Sequence, residues 1–212
     1  MRIQQELAAA VPDGLPSEPS SIGGCFVCFE RGGSGPGHPG DLGWSGAAVG
    51  GSTAVAHGEA PASYAPGLLA LREGPLLEAA VRALPRLPGV LLVNATGRDH
   101  PRRAGLALHA GAVLDVATAG VTHRPLLAAG GWPEDQDGAT APLVLDRRIV
   151  GYWLRTRHGT RPVAVHAAWG TSAESAVAVV LAATGSKRTP EPIRAARAAA
   201  REARARGDAR PR

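Results

Sequence analysis

The chain has 212 residues, a formal net charge of +5, 44% hydrophobic and only 4% aromatic residues, which is long enough for a domain of ordinary size with a real core. No apolar run reaches the roughly 20 residues that a membrane span needs, and residues 1–7 lack the charged-then-apolar pattern of a secretion signal, so a cytoplasmic protein with no membrane partner is expected. From Lys187 onward nine basic residues face three acidic ones, a net of +6, which leaves −1 for residues 1–186.

In chain order, residues 1–20 read as a short helix and a Pro/Ser-rich lead-in. Residues 21–30 form an apolar strand containing Cys25 and Cys28. Residues three apart in a strand face opposite sides, so the pair reads as two packed thiols and not as a metal or redox motif. Residues 31–43 are a Gly/Pro-rich connection, too long for a tight hairpin, and residues 44–51 and 52–57 alternate as two further antiparallel strands. The apolar stripe Leu68, Leu69, Leu71, Leu76, Leu77, Ala80, Val81 and Leu84 predicts a helix over 67–84. Residues 90–93 are a continuous apolar run of the kind buried on both sheet faces.

Beyond it, the pattern predicts a helix over 101–110, a strand over 113–121, a loop over 122–141, a hairpin of 143–150 with 152–157, and a strand over 162–167. A helix over 172–183 is capped by Thr171 or Ser172. Residues 190–206 predict an Ala/Arg helix with little apolar stripe, partly docked and fraying. The division suggested is a body of 1–186 and a basic segment of 187–212. Three antiparallel strands, a helix, then parallel strands separated by helices make a mixed α/β sheet.

Two stretches carry a resemblance: Ser63-Tyr64-Ala65-Pro66-Gly67-Leu68-Leu69-Ala70-Leu71-Arg72-Glu73 and His100-Pro101-Arg102-Arg103-Ala104-Gly105. They resemble the substrate wedge, helix glutamate and post-strand loop of endonuclease V, the nuclease that cuts beside deaminated purines. The resemblance implies a ribonuclease H-like mixed sheet flanked by helices, with Mg²⁺ held by carboxylates. Motif by motif, the four acidic positions fall on Phe26, Glu73, Asn94 and Glu174. Phe26 offers no ligand atom and Asn94 only a neutral oxygen, where Mg²⁺ wants hard anionic ones. A family lysine falls on His123.

These replacements lead to an expectation of no metal, no cofactor and no Mg²⁺-dependent cleavage. The body's charge also lacks the basic surface that phosphate-backbone binding favours. The expected protein is therefore a repurposed, metal-independent enzyme, of a biosynthetic kind, that takes a small planar or nucleoside-like ligand in preference to nucleic acid. His100, His123, Glu73, Glu174 and Asp99 would handle protons, with Asn94 beside them in the catalytic pocket. Cys28 is read as a packed thiol or, alternatively, a nucleophile. Tyr64, Pro66, Gly67, Gly97, Arg102 and Trp169 would contact the ligand. The alternatives are a nucleic-acid-binding pseudoenzyme and a residual inosine-directed endonuclease.

Overall fold

The computed structural model describes residues 2–10, 21–32 and 35–208, so the predicted lead-in lies largely outside the described residues. Eight strands form one mixed sheet in the order β3-β2-β1-β4-β5-β8-β7-β6. β1 (Ile22–Phe29), β2 (Leu42–Val49) and β3 (Ser52–Glu59) form an antiparallel meander, and β4 (Val90–Val93) pairs parallel to β1 in the register Ile22↔Val90 to Cys25↔Val93. β5 (Ala117–Thr122) continues in parallel, while β8 (Val163–Ala167), β7 (Arg148–Leu154) and β6 (Thr140–Leu145) return antiparallel. This is the mixed α/β arrangement that the sequence order implies. No helix among the described residues is long and apolar enough to cross a membrane.

Strand alternation feeds two cores, one on each face. On one face Cys25, Ala47, Leu91 and Val93 pack under helices α2 (Leu69–Arg82) and α3 (Leu106–Leu114), through Leu77, Val81, Leu106 and Leu108. On the other, Val90, Leu92, Ala119, Val121 and Val165 pack against α4 (Ala173–Ala182) and α5 (Glu191–Asp208), through Ala176, Val180 and Ile193. Each of Leu91 and Leu92, both fully buried, is worth roughly 1.5–3 kcal/mol of apolar transfer. The short helix α1 (Arg2–Ala9) lies beside α3.

Several boundaries differ from the sequence reading, and residues 113–114, expected to open a strand, end helix α3 while β5 starts only at Ala117. The helix expected over 101–110 starts at Leu106, because the chain first makes bends over residues 96–103, with Arg103 at φ 58°. The late hairpin turns at Asp146 and Arg147, both at positive φ (48° and 61°), and not near Gly151; a left-handed turn without glycine carries no obvious sequence mark. Of the two cap candidates Ser172 is the one used: its Oγ accepts from the Ser175 N–H at 3.1 Å and Ser175 Oγ accepts from the Ser172 N–H at 2.9 Å.

The largest difference is α5. It lies flat across β1 and β2, with Ile193, Ala196 and Ala200 completely buried. Alanine suffices because the strands supply the proximity. A Cβ on Gly24 would meet the Pro192 carbonyl, and one on Gly46 would meet the Ala196 carbonyl. The helix backbone therefore rests on the strand backbones, and the basic segment belongs to the face of the sheet.

Candidate functional site

Parallel strands β1, β4 and β5 deliver their C-terminal ends to one edge, the usual crevice of such sheets. Two adjoining cavities open there. One, of about 240 Å³, is bounded by Gln4, Tyr64, Gly67, Asn94, Thr96, His100, Thr122 and Leu126 among others. The second, of about 360 Å³, is bounded by Cys25, Phe26, Val27, Glu73, Leu77, Val93 and Asn94, and shares Asn94, Leu69 and Leu106 with the first.

The wedge loop is rigidly supported. Gly67 sits at φ +74°, which glycine adopts without strain, and its carbonyl accepts from three donors: Arg102 Nη2 at 2.6 Å, His100 Nε2 at 3.1 Å and Gln4 Nε2 at 3.1 Å. Arg102 Nε also donates to Gln4 Oε1. On the far side the buried Arg72 donates to the carbonyls of His38 (2.7 Å) and Ala62 (3.0 Å), pairs with Asp41 at 2.6 Å, and lies 4.1 Å over the Phe29 ring. Tyr64 is left 43% exposed at the mouth of the smaller cavity, where a planar ring can stack. Pro66 and Gly67 shape this loop. Arg102 ties Gln4 to Gly67 and so holds the loop.

Several proton carriers named from the sequence are committed elsewhere. His100 Nδ1 accepts the Arg102 backbone N–H at 3.2 Å while Nε2 donates to Gly67, so neither ring nitrogen is available, and burial holds its pKa below the ordinary histidine range. Asp99 turns away into the interior, where its carboxylate accepts N–H groups from Leu126 (2.6 Å), Leu127 (2.8 Å) and Ala128 (2.8 Å). Its neighbour there is His166, 3.7 Å away, whose pKa burial lowers despite that carboxylate. His123 is on the surface, where partial desolvation, then Arg188 and Arg197, hold it below its usual range.

Glu73 does face the larger cavity. Burial raises its pKa to about 7, only partly opposed by Arg72. Burial, then Glu73, pushes the Cys25 thiol up to about 12, which leaves it a packed hydrophobe. Cys28, two residues after Phe26, pairs with Trp44 on β2 and borders neither cavity.

Two residues assigned to the site by motif lie elsewhere. Trp169 bonds Thr118 (N–H to Oγ1, 3.2 Å), where β5 begins, packing beside Gly111, whereas Asn94 and Thr122 lie where β4 and β5 end. Glu174 is exposed and accepts from the Tyr152 hydroxyl at 3.0 Å, on β7, three strands from β4. Gly97 is a crossing point: a Cβ there would strike the Ala167 carbonyl.

The late-helix residue that meets the site was missed. Arg197, on α5, donates from Nη2 to Asn94 Oδ1 at 3.5 Å, and its guanidinium lies 5.0 Å from the Phe26 ring centroid, with Arg201 behind it at 5.8 Å. Arg197 Nε is buried without a hydrogen-bond partner. The missed signal was the spacing of four: Ile193, Arg197 and Arg201 share one helix face, and the glycines at 24 and 46 prepare the strands for it.

Comparison with known proteins places this geometry in context. A protein of Methanopyrus kandleri named Endonuclease V is 43% identical over 143 residues, 67% of this chain and 61% of that protein; the chain thus spans about three fifths of that relative. The crystal structure of Endonuclease V from Streptomyces avermitilis superposes with TM-score 0.88 at 33% identity, covering 98% of this chain and 92% of that one. Endonuclease V of Ciona intestinalis, solved with a 23mer DNA containing an inosine followed by a ribo-adenosine, shares the fold at TM-score 0.76 and 21% identity, with 97% and 95% covered.

The preference for a small molecule over nucleic acid is corrected here: a neighbour of this fold is solved around an inosine-containing strand. The charge count misled because it treated the basic segment as an appendage, while docked α5 brings those arginines to the site face. The Endonuclease V family model matches residues 49–198, a span that begins after Phe26 and includes Glu73, Asn94 and Arg197, and the chain belongs to the endonuclease V family.

Proposed function

We propose that this protein recognises a nucleic-acid strand carrying a deaminated purine and holds it without metal-dependent cleavage. The observation that carries the reading is the pairing of two adjoining cavities, a supported wedge pocket beside a second one bounded by Phe26, Glu73 and Asn94, with Arg197 lying against Phe26 and Asn94. Tyr64 supplies a stacking face at the smaller one, with the peptide groups and Thr96 of its wall able to read a base edge.

The larger cavity does not suit a divalent cation. The resemblance assigns four acidic positions, of which Phe26 has no donor atom and Asn94 offers a neutral one. The late helix presents a guanidinium, and Glu73 is half protonated near neutral pH. Among the described residues no group of three or more His, Cys, Asp or Glu could hold a metal ion. Metal-independent catalysis has equally little support, since His100 has both nitrogens engaged and Cys28 borders neither cavity.

Fluorescence anisotropy with a single strand containing one deoxyinosine, against its adenosine counterpart, tests this reading with Mg²⁺ and with chelator. Preference for the inosine strand, equal in both buffers and with the strand intact on a denaturing gel, is the expected result. Mg²⁺-dependent scission beside the inosine would establish a residual endonuclease instead, and equal affinity for both strands would remove the wedge-pocket reading.

A further inference from the structure

We propose that Arg197, backed by Arg201, forms an oxyanion site at the place where the family's cation would sit, and that its ligand is a phosphate group of the bound strand. The inference rests on the strand-binding reading for the identity of its ligand, and on geometry for the site itself. The chemistry of the ion site is thereby inverted: a fixed positive charge binds the phosphate directly, where the family uses carboxylates to hold an ion that does so.

Four observations converge. Arg197 Nε is buried yet unpartnered, a guanidinium N–H whose lost hydration nothing in the protein replaces. Its one hydrogen bond among the described residues, to Asn94 Oδ1, is long at 3.5 Å, so the fork retains donors for a second partner. Asn94 turns its oxygen toward Arg197, which leaves its NH₂ donors without a bond among the described residues. Finally, the Phe26 ring underlies both guanidiniums, at 5.0 and 5.8 Å, which orients their planes without neutralising their charge.

The carboxylate of the larger cavity does not quench the pair. Glu73 is largely buried on the α2 side of the cavity and half protonated at neutral pH, whereas Phe26 and the arginines approach from α5. Desolvation, then repulsion from Arg201, disfavours the charge on Arg197, and an anion between the two arginines relieves both costs. A planar fork meets a phosphate through two parallel hydrogen bonds, which a lysine cannot reproduce.

The test uses the full chain in chelator and a set of labelled deoxyinosine strands. In each, one phosphate near the inosine is replaced by an uncharged methylphosphonate. One position is expected to weaken wild-type binding about tenfold to a hundredfold, in keeping with a charged hydrogen-bonded contact. Arg197→Ala should lose the same factor on the unmodified strand, become insensitive to that replacement, and reduce the salt slope by about one. Arg197→Lys should fall between the two, and thermal melting of both variants controls for folding.

Inorganic phosphate, titrated into the protein alone by calorimetry, separates the two claims. Phosphate binding that Arg197→Ala abolishes, with no strand binding, upholds the oxyanion site and refutes the strand reading. Strand binding in which Arg197→Ala keeps wild-type affinity and salt slope overturns the site. A methylphosphonate penalty spread equally over all positions also overturns it, while leaving strand recognition intact.

Discussion

Restoring the two absent carboxylates should not by itself restore a cation site, because Arg197 stands in the way. A divalent ion seated where the Phe26 ring now lies would meet the guanidinium at about 5 Å. At an effective dielectric of about 20 that repulsion is roughly 6–7 kcal/mol, more than four decades in affinity. Removing the ring by Phe26→Asp opens the space, and Asn94→Asp adds a second anion, but the third charge remains. We expect the double variant to bind Mn²⁺ no better than the wild type. The triple variant, with Arg197→Asp added, should gain binding by at least a hundredfold after allowance for solvent screening. Isothermal titration with Mn²⁺ on all three proteins, with melting curves to verify folding, decides the matter. Equal and tight Mn²⁺ binding by the double and triple variants would refute the assignment of Arg197 to the ion's place.

Glu73 has a raised folded pKa, so between pH 4.5 and about 7 the native state keeps a proton that the unfolded chain has released; stability should therefore fall as pH rises through that window, by up to about 3 kcal/mol. Glu73→Gln should remove that loss in urea melts across pH, whereas His166→Gln should remove a slope of opposite sign, since burial lowers the pKa of His166. Asp99→Ala leaves three backbone N–H groups of residues 126–128 without their acceptor, at a cost of about 3 kcal/mol or more; hydrogen exchange at those amides should accelerate, and unchanged protection would contradict the role. Gly46→Val should destabilise by about 1–3 kcal/mol by pushing α5 off β2, visible as a lower urea midpoint, while a midpoint equal to wild type would mean the helix tolerates the displacement.

Most of the sheet was legible because hydrophobic period and run length report burial directly. The all-apolar Val90–Val93 has its observed bounds, and the alternation of residues 52–57 became β3 with two added residues. The turn at Asp146 and Arg147 was not legible, since its left-handed backbone uses residues that ordinarily mark nothing. The site was only half legible for a different reason. The local motifs contain Tyr64, Gly67 and Glu73, which line the cavities, but which late helix reaches β1 is a long-range fact. The alanine-rich α5 hides its docking face, because the space that admits it is recorded as glycines in distant strands. His100 and Asp99 show the complementary limit: residue type announces proton chemistry, while only the partners reveal that both are engaged in holding loops.

The order in which the protein is synthesised gives the docking of α5 a further meaning. β1 and β2 leave the ribosome early, and the helix that covers their second face follows only after the rest of the sheet has been made. At ordinary elongation rates the interval is on the order of ten seconds. Throughout it the glycine-lined face of the first two strands has no cover, and pairing with it is among the most non-local contacts of the fold, the kind that forms slowly. Arg197 thus reaches Phe26 only after every strand of the sheet has been made, and a nascent chain halted before α5 would present bare strand surface to its neighbours.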